Sequence, residues 1–158
     1  MATPGNKTLN EGIPQIGDAF VVIVKTEWNA HLIDKLERGC KKVLKASGVQ
    51  TKTLVVPGAF ELPFAVKAHS QLAKAADAYI VLGAVIRGDT PHFDYVCQGV
   101  TAGIAQLNVT IDSPVIFGLL TVDNEQQAIE RIGGKHGHKG EEAAITAIKM
   151  IDLKRRMK

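Results

Sequence analysis

The chain has 158 residues, of which 46% are hydrophobic, and its formal net charge is +3. This length is typical of one domain around one packed core. No run of ~18 apolar residues could span a membrane, and the positive charge forms no basic stripe with interleaved aromatic residues, so the composition argues against a membrane protein and a nucleic-acid-binding protein. The N-terminal stretch MATPGNKTLNEGIPQIGD lacks the apolar core of a secretion signal. We therefore expect a cytoplasmic protein with an N-terminal arm over residues 1–17 and one domain over residues 18–158.

The two cysteines, Cys40 and Cys97, lie among helix-like neighbours and not in a CxxC pair. This arrangement is typical neither of a zinc site nor of a disulfide framework. We expect both to be buried free thiols.

The first half of the chain alternates between strand and helix patterns. Residues 19–26 (AFVVIVKT) form an apolar run rich in β-branched residues, which predicts a strand buried on both faces. Residues 29–47 carry apolar side chains at helical spacing, and Gly48 is placed to end that helix. Residues 51–58 predict a second strand, and residues 60–75 predict a second helix.

The same alternation continues through the second half. Residues 78–86 (AYIVLGAVI) are the clearest strand, residues 93–108 predict a helix, and residues 114–122 predict a fourth buried strand.

Two further helices complete the chain. Asp123 or Asn124 is placed to cap a helix over residues 125–132, and the glycine pair at 133–134 is placed to end it. A last amphipathic helix is predicted over residues 141–155.

Continuous apolar strands that are separated by helices indicate a parallel sheet with helices on both faces. Right-handed crossovers then restrict the ways in which these strands and helices can be connected. We predict an α/β fold, a flavodoxin-like three-layer αβα sandwich with a central four-stranded parallel sheet.

The unusual residues follow the predicted carboxyl ends of the four strands, where ligands bind in open parallel sheets. The loops are residues 27–29, 57–61, 87–94 and 121–125. Together they contain the only tryptophan, a carboxylate, a glycine-bearing turn and a histidine. This convergence predicts a ligand site at one rim of the sheet.

Each of these residues also has a purely structural explanation. Trp28 could cover the sheet edge, and Glu61 could be an acid at a helix N-terminus. His92 could be an exposed residue before a helix, and Arg131 could lie on a solvated helix face. Their shared position at one rim favours function over four separate structural roles.

Other motifs do not fit. The segment GGKHGHKGEE does not match GxxxxGK[ST], no GxGxxG follows the first strand, and no GxSxG is present. His136 and His138 are two residues apart, which suits no zinc pattern. We expect no nucleotide site and no metal.

Three segments resemble the lumazine synthase family: VPGAFELPFAVK, GAVIRGDTPHFDYVCQGVTAGIAQL and PVIFGLLTVDNEQQAIERIGGKHGHKGEEAA. The resemblance covers roughly residues 17–155. It implies the condensation of 5-amino-6-(D-ribitylamino)uracil with L-3,4-dihydroxy-2-butanone 4-phosphate to 6,7-dimethyl-8-ribityllumazine, the penultimate step of riboflavin biosynthesis, with release of phosphate and water. It also implies that no cofactor or metal is needed.

The resemblance assigns a role to each candidate residue. His92 is the expected proton shuttle, because an imidazole can both accept and release protons near neutral pH. Asp89, Thr90 and Arg131 are expected to hold the butanone phosphate, through turn amides and a forked guanidinium. The residues expected at the ribitylaminouracil are Trp28, Ala59, Phe60, Glu61, Ala84, Val85, Ile86 and Phe117.

Two positions depart from the family pattern. Many members have Arg followed by Phe where this chain has Glu27 and Trp28, so a cation near the pyrimidine pocket is missing. The larger indole of Trp28 also raises the hypothesis that it binds the lumazine product or riboflavin.

The resemblance further implies a homo-oligomer. The family builds pentamers, in which the residue equivalent to Phe117 comes from the neighbouring subunit, and some members assemble twelve pentamers into an icosahedral shell. The short segment GGKHGHKG (residues 133–140) resembles that of the shell-forming members. We therefore favour the shell, and association with riboflavin synthase is a further expectation.

Two alternatives to an enzyme stay open at this point. The first is a shell or binding protein that keeps the fold without the chemistry, and Glu27 is the only residue that favours it. The second is a flavin-binding module, which would copurify with flavin and would not need Arg131.

Overall fold

The computed structural model describes residue 9 and residues 11–157. At its centre, four parallel strands form one sheet in the order β2-β1-β3-β4. The strands are β1 (Phe20–Thr26), β2 (Gln50–Val56), β3 (Ala78–Ile86) and β4 (Val115–Val122). Parallel neighbours need a crossover connection, and each of the three crossovers contains a helix.

Helices cover both faces of this sheet. They are α1 (Ala30–Ala46), α2 (Leu62–Leu72), α3 (His92–Thr110), α4 (Glu125–Ile129) and α5 (Lys139–Arg156). One core cluster lies under α1 and α5, and the other lies under α2 and α3. The arrangement confirms the predicted flavodoxin-like three-layer sandwich with a central four-stranded parallel sheet. None of the described helices is long and apolar enough to cross a membrane.

The central strand β1 fills both layers of the core, as its β-branched run predicts. Val21 and Ile23 join the cluster under α1 and α5, whereas Val22 and Val24 join the cluster under α2 and α3. Successive side chains of a strand point to opposite faces of the sheet. A continuous apolar run is therefore what a strand covered on both faces requires.

The prediction that β4 is buried throughout is wrong at two positions. Phe117 is 39% exposed, and Thr121 is also exposed. Among the described residues β4 pairs with β3 alone, so it is an edge strand, and the neighbouring helices cover it incompletely.

The helix predicted over residues 125–132 is also too long. Helix α4 ends at Ile129, and the chain then forms a two-stranded hairpin of β5 (Ile132–Gly134) and β6 (Gly137–His138). Gly133 has a φ angle of 98°, which glycine adopts at little cost. The glycines of this segment therefore shape a hairpin as well as ending a helix.

The last helix begins two residues before the predicted start, because His138 caps it. The Nδ1 atom of His138 accepts the backbone N–H of Glu141 at 3.4 Å. The ring of His138 lies against Gly39 of α1, where any Cβ atom would collide with it. Burial lowers the pKa of His138, which favours the neutral ring that can accept this hydrogen bond.

The two cysteines differ in their surroundings. Cys40 is fully buried, as predicted, and burial raises the pKa of its thiol to about 12. Cys97 is only partly buried, so the prediction of a buried thiol is wrong there. Both thiols are free.

Part of the segment 11–17 contacts the body of the fold. Ile16 is buried in the core, and Nζ of Lys149 donates to the carbonyl of Glu11 at 2.9 Å. The division into an arm over residues 1–17 and a domain over residues 18–158 stays a prediction, and residues 1–8 and 10 of that arm lie outside the described residues.

A cluster of charged side chains joins α1 to β1 and β2. The carboxylate of Glu37 accepts hydrogen bonds from Lys25 Nζ at 2.6 Å and from the Thr53 hydroxyl at 2.7 Å, and Lys41 Nζ lies 2.6 Å from it. Burial by itself would raise the pKa of Glu37, but these donors outweigh it and lower the pKa from 4.5 to about 2. A carboxyl with a depressed pKa stabilises the fold above pH 4.5, and this contribution is lost as the pH falls towards 2.

We expect Glu37→Gln to lower the free energy of unfolding by about 2 kcal/mol at pH 7. We expect this difference to shrink as the pH falls from 4.5 towards 2, because only the unsubstituted protein has a carboxylate at position 37 that is protonated in this range. Urea denaturation at neutral and strongly acid pH, at one protein concentration, measures both quantities. Asp112→Asn, at an exposed carboxyl, is the control, and a difference that is the same at both pH values would contradict the charge-based explanation.

Candidate active site

Backbone hydrogen bonds hold the loops after β1 and β2 side by side. The N–H of Glu27 donates to the carbonyl of Val56 at 2.8 Å, and the N–H of Trp28 donates to the carbonyl of Pro57 at 3.2 Å. The indole of Trp28 lies near Gly58 and is 73% exposed. Trp28 therefore lies on the rim with its ring exposed. A tryptophan that covered the sheet edge, the purely structural explanation, would be buried.

Asn29 joins the loop after β1 to the end of β3. Its φ angle is 61°, and it is the only residue other than glycine with a positive φ in the part of the chain that the structure describes. Asparagine tolerates this conformation better than most residues. Its side-chain Nδ2 donates to the carbonyl of Ala84 at 3.1 Å, a contact that the helix pattern around Asn29 does not predict.

The loop after β2 presents Phe60 and Glu61. Residues Ala59–Glu61 form a short 3-10 turn before α2, and the N–H of Gly58 donates to Oε2 of Glu61 at 3.1 Å. The ring of Phe60 is 62% exposed and rests against Gly99 of α3. The glycine leaves room for the ring, and the turn directs the Glu61 carboxylate to the exposed side of the loop.

The end of β3 becomes progressively more exposed. Ala84 is buried, Val85 and Ile86 are partly buried, and the residues from Arg87 to His92 are exposed. The carbonyl of Ala84 already accepts the hydrogen bond from Asn29, so one lone pair is left for a ligand.

The loop after β4 lies beside the loop after β3. The N–H of Arg87 donates to the carbonyl of Val122 at 2.9 Å. The side chain of Asn124 then caps α4 by accepting the N–H of Gln127 at 3.0 Å, which confirms one of the two predicted caps. All four loops are thus connected along one edge of the sheet.

Arg131 follows α4 and is partly buried. Its Nη1 atom donates to the carbonyl of Gln127 at 2.8 Å. The side chain is therefore held against the end of α4 and does not extend from a solvated helix face.

The chain is similar to known proteins over nearly its whole length. The family model for 6,7-dimethyl-8-ribityllumazine synthase matches residues 18–155. The chain belongs to this family. The 6,7-dimethyl-8-ribityllumazine synthase of Parabacteroides distasonis is 50% identical over 144 residues, which is 89% of each chain. The 6,7-dimethyl-8-ribityllumazine synthase of Bacteroides fragilis is 53% identical over 134 residues, which is 83% of this chain and 93% of the relative. The synthase of Porphyromonas gingivalis is 49% identical over 148 residues, which is 92% of this chain and 91% of the relative.

Most of the residues that the family resemblance singles out lie at this rim. Those at the ends of β1, β2 and β3 or in the loops after them are Trp28, Ala59, Phe60, Glu61, Ala84, Val85, Ile86, Asp89, Thr90 and His92. Arg131 follows the helix that begins at the end of β4. No group of three or more His, Cys, Asp or Glu side chains within the described residues could hold a metal ion.

Phe117 is the exception among these family positions. It precedes Val122, the last residue of β4, by five residues, which is about 16 Å at ~3.3 Å per residue. It lies in a groove of about 380 Å³ on the outer side of β4, between α3 and α5. Phe117 is therefore remote from the rim of its own chain.

The same groove contains two charged residues that sequence reasoning did not identify. Lys139 and Glu142 line it, and Nζ of Lys139 is 2.6 Å from Oε2 of Glu142. The sequence feature that links Lys139 and Glu142 is their spacing of three residues in the first turn of α5. This spacing indicates a paired site only once the structure places both residues in the groove beside Phe117.

Proposed function

We propose that the rim at the carboxyl ends of β1, β2, β3 and β4 is where this chain carries out the reaction of its family. The protein is a transferase of riboflavin biosynthesis. It condenses 5-amino-6-(D-ribitylamino)uracil with L-3,4-dihydroxy-2-butanone 4-phosphate to 6,7-dimethyl-8-ribityllumazine, releasing phosphate and water. This location is supported by the hydrogen bonds that connect the four loops along one edge of the sheet.

The pyrimidine substrate belongs on the side of β1 and β2. The exposed ring of Trp28 offers an aromatic face for stacking, and the carboxylate of Glu61 can accept hydrogen bonds from the hydroxyls of the ribityl chain. Ala59 and Phe60 flank this space, and the backbone at Ala84, Val85 and Ile86 faces the uracil. The acid at Glu27 leaves this pocket without the cation of many relatives, so binding there depends on stacking and hydrogen bonds.

The phosphate of the second substrate belongs on the side of β3 and β4. Asp89 and Thr90 occupy an exposed turn whose backbone amides can donate to phosphate oxygens. The guanidinium of Arg131 can add charge-assisted hydrogen bonds. Asp89 acts through its backbone in this scheme, because its carboxylate would repel the phosphate.

His92 follows the turn that contains Asp89 and Thr90, as the first residue of α3 and with an exposed side chain. The reaction needs proton transfers during imine formation, phosphate elimination and ring closure. One imidazole can serve all of them because it accepts and releases protons near neutral pH.

We expect His92→Ala to lower kcat about 100-fold, the usual loss for one acid-base group. We do not expect it to abolish turnover, because holding two substrates together contributes a large share of the acceleration. Steady-state kinetics on folded, assembled protein measures the effect. A complete loss of turnover with assembly intact would contradict the positioning argument.

The position of Phe117 supports a homo-oligomer with sites shared between subunits. Since it lies about 16 Å from the rim of its own chain at ~3.3 Å per residue, it can reach a pyrimidine only in the site of a second subunit. The open edge of β4 and its groove suit such a neighbour, and Lys139 and Glu142 would accompany Phe117 into that site. We propose a pentamer of this kind.

We further propose that twelve pentamers form an icosahedral shell in the cytoplasm, which can associate with riboflavin synthase. The segment GGKHGHKG between α4 and α5 is short and forms a compact hairpin, as the resemblance to shell-forming members favours. Sedimentation or light scattering measures the mass of the particle. A mass near that of five chains would contradict the shell and leave the pentamer.

One assay tests the proposed function itself. The purified protein is mixed with both substrates, and lumazine absorbance and released phosphate are followed together. We expect both products to appear at the same rate in the unsubstituted protein. No turnover would favour the shell or binding protein, whereas tightly bound flavin without turnover would favour the flavin-binding module.

A further inference from the structure

We propose that Thr26 and Asn29 are positioning residues that hold the indole of Trp28 at a fixed distance from the end of β3. The proposed scheme gives neither side chain a contact with a substrate. The inference rests on the proposed function, and it assigns a task to two hydrogen bonds that the strand and helix patterns of this segment do not require.

The place of the Trp28 ring is set by its backbone. The ring is 73% exposed, so packing restrains it little, and its position depends on the backbone and on rotation about two side-chain bonds. The N–H of Trp28 donates to the carbonyl of Pro57 at 3.2 Å, and its carbonyl accepts the hydroxyl of Thr26 at 3.1 Å. The amide of Asn29 adds the bond to the carbonyl of Ala84 at 3.1 Å. These three bonds tie the Trp28 segment to the ends of β1, β2 and β3.

The conformation of Asn29 is unfavourable for local structure. Its φ and ψ angles of 61° and 36° are left-handed, a region that residues other than glycine rarely adopt. An asparagine just before a helix usually accepts a hydrogen bond from the first N–H groups of that helix, but the side chain of Asn29 makes no such bond to α1. Its amide instead reaches Ala84, 55 residues further along the chain. A residue that gives up a helix cap and a favourable backbone for one distant bond points to a function of that bond.

Thr26 is held in place by packing. It is the last residue of β1 and only 2% exposed, and a Cβ atom on Gly83 of β3 would lie 3.1 Å from its methyl carbon Cγ2. A β-branched side chain in such a confined space has one favourable rotamer, so its hydroxyl is kept directed at the carbonyl of Trp28. Valine has nearly the same shape but no donor, so Thr26→Val removes the bond and keeps most of the packing.

The distance between the indole and the end of β3 matters because a flat pyrimidine must use both. In the proposed scheme one face of the pyrimidine stacks on Trp28, while its edge meets the backbone at Ala84, Val85 and Ile86. A misplacement of about 1 Å in such an arrangement can lower binding and rate strongly. The bond from Asn29 fixes this distance, because it joins the residue after Trp28 directly to Ala84.

The test compares Thr26→Val and Asn29→Gly in the full assembly. Glycine adopts the left-handed conformation at little cost, so Asn29→Gly removes the side-chain bond and keeps the backbone. We expect the Kd of ribitylaminouracil, measured by calorimetry without the second substrate, to rise about threefold in Thr26→Val and about tenfold in Asn29→Gly. We expect KM for the butanone phosphate to change less than about twofold.

The anisotropy decay of tryptophan fluorescence provides a second measurement, because Trp28 is the only tryptophan of the chain. Side-chain motion on the nanosecond timescale is faster than the tumbling of a large assembly. We expect both variants, without substrate, to show a larger amplitude of fast decay than the unsubstituted protein. A merely structural role would lower thermal stability without loosening this ring.

Thr51→Val is the matched control, because Thr51 is exposed near the start of β2 and away from the rim, and we expect no change in Kd or in anisotropy decay. Unchanged Kd values in both variants, or equal losses for the two substrates, would contradict the positioning role. A looser ring without any loss of affinity for ribitylaminouracil would contradict it as well. An unsubstituted protein that binds ribitylaminouracil but makes no lumazine would contradict the proposed function, and the positioning role would still be judged by the Kd values and the anisotropy decay.

Discussion

Replacement of Arg131 by methionine is expected to raise KM for the butanone phosphate about 100-fold, which corresponds to a loss of ~2.7 kcal/mol of binding free energy. Arg131 is partly buried and already donates Nη1 to the carbonyl of Gln127, so its remaining donors are held in place before the phosphate arrives. Methionine keeps much of the length of the side chain and removes the charge. KM for ribitylaminouracil should stay within about twofold of its original value.

Arg131→Lys is the informative companion variant. Lysine keeps the charge but cannot form the two parallel hydrogen bonds of a guanidinium, so we expect an effect between those of arginine and methionine. Steady-state kinetics with each substrate varied in turn separates the two KM values. An unchanged KM for the butanone phosphate in Arg131→Met would remove Arg131 from the phosphate site.

The second large effect is complementation between two subunits that are each strongly impaired. We expect Phe117→Ala to lower activity about as strongly as His92→Ala, because in the proposed assembly each site takes an aromatic contact, Phe117, from a neighbouring copy in addition to Trp28 and Phe60 of its own chain. In a mixed oligomer, a site with both His92 and Phe117 forms when a Phe117→Ala chain supplies the rim and a His92→Ala chain supplies the edge of β4. Equal random mixing should restore about a quarter of the sites in such a ring.

This experiment uses coexpression of the two variants with different tags, purification by both tags, and an assay per subunit. The control is a mixture of the two purified variants that were never assembled together. Recovered activity in the mixed oligomers alone would support a site shared between subunits. Mixed oligomers that show only the average of the two parent activities would indicate that each site is built from one chain.

The fold was predictable because its strongest determinants are local. The β-branched runs of β1 and β3 are long enough to need cover on both faces, and Gly48 ends α1 with a φ angle of 75°, as its place after the apolar stripe predicts. The positions of the four loops follow from the parallel order of the strands. Most of the residues named for the rim from the sequence and the family resemblance therefore lie there.

The remaining features depend on contacts between segments that are distant along the chain. The hairpin after α4 forms with hydrogen bonds such as that from the N–H of Lys139 to the carbonyl of Arg131 at 2.8 Å, which no periodicity signals. The bond from Asn29 to Ala84 and the contacts of Arg87 join loops that only the sheet order brings together. Phe117 is exposed because β4 lies at the edge of the sheet. The sequence did not indicate this, because a buried strand and an edge strand can have the same apolar pattern.

The most direct measurement uses Trp28, the only tryptophan of the chain. If the rim binds the pyrimidine, ribitylaminouracil or the lumazine product stacks on an indole that is 73% exposed in the free chain. Titration of the active assembly with either compound, corrected for light absorption with free N-acetyltryptophanamide, should then quench the Trp28 fluorescence saturably. The half-saturation for ribitylaminouracil should lie near its KM. An active enzyme whose tryptophan fluorescence does not change at saturating substrate or product would contradict the assignment of the rim as the active site.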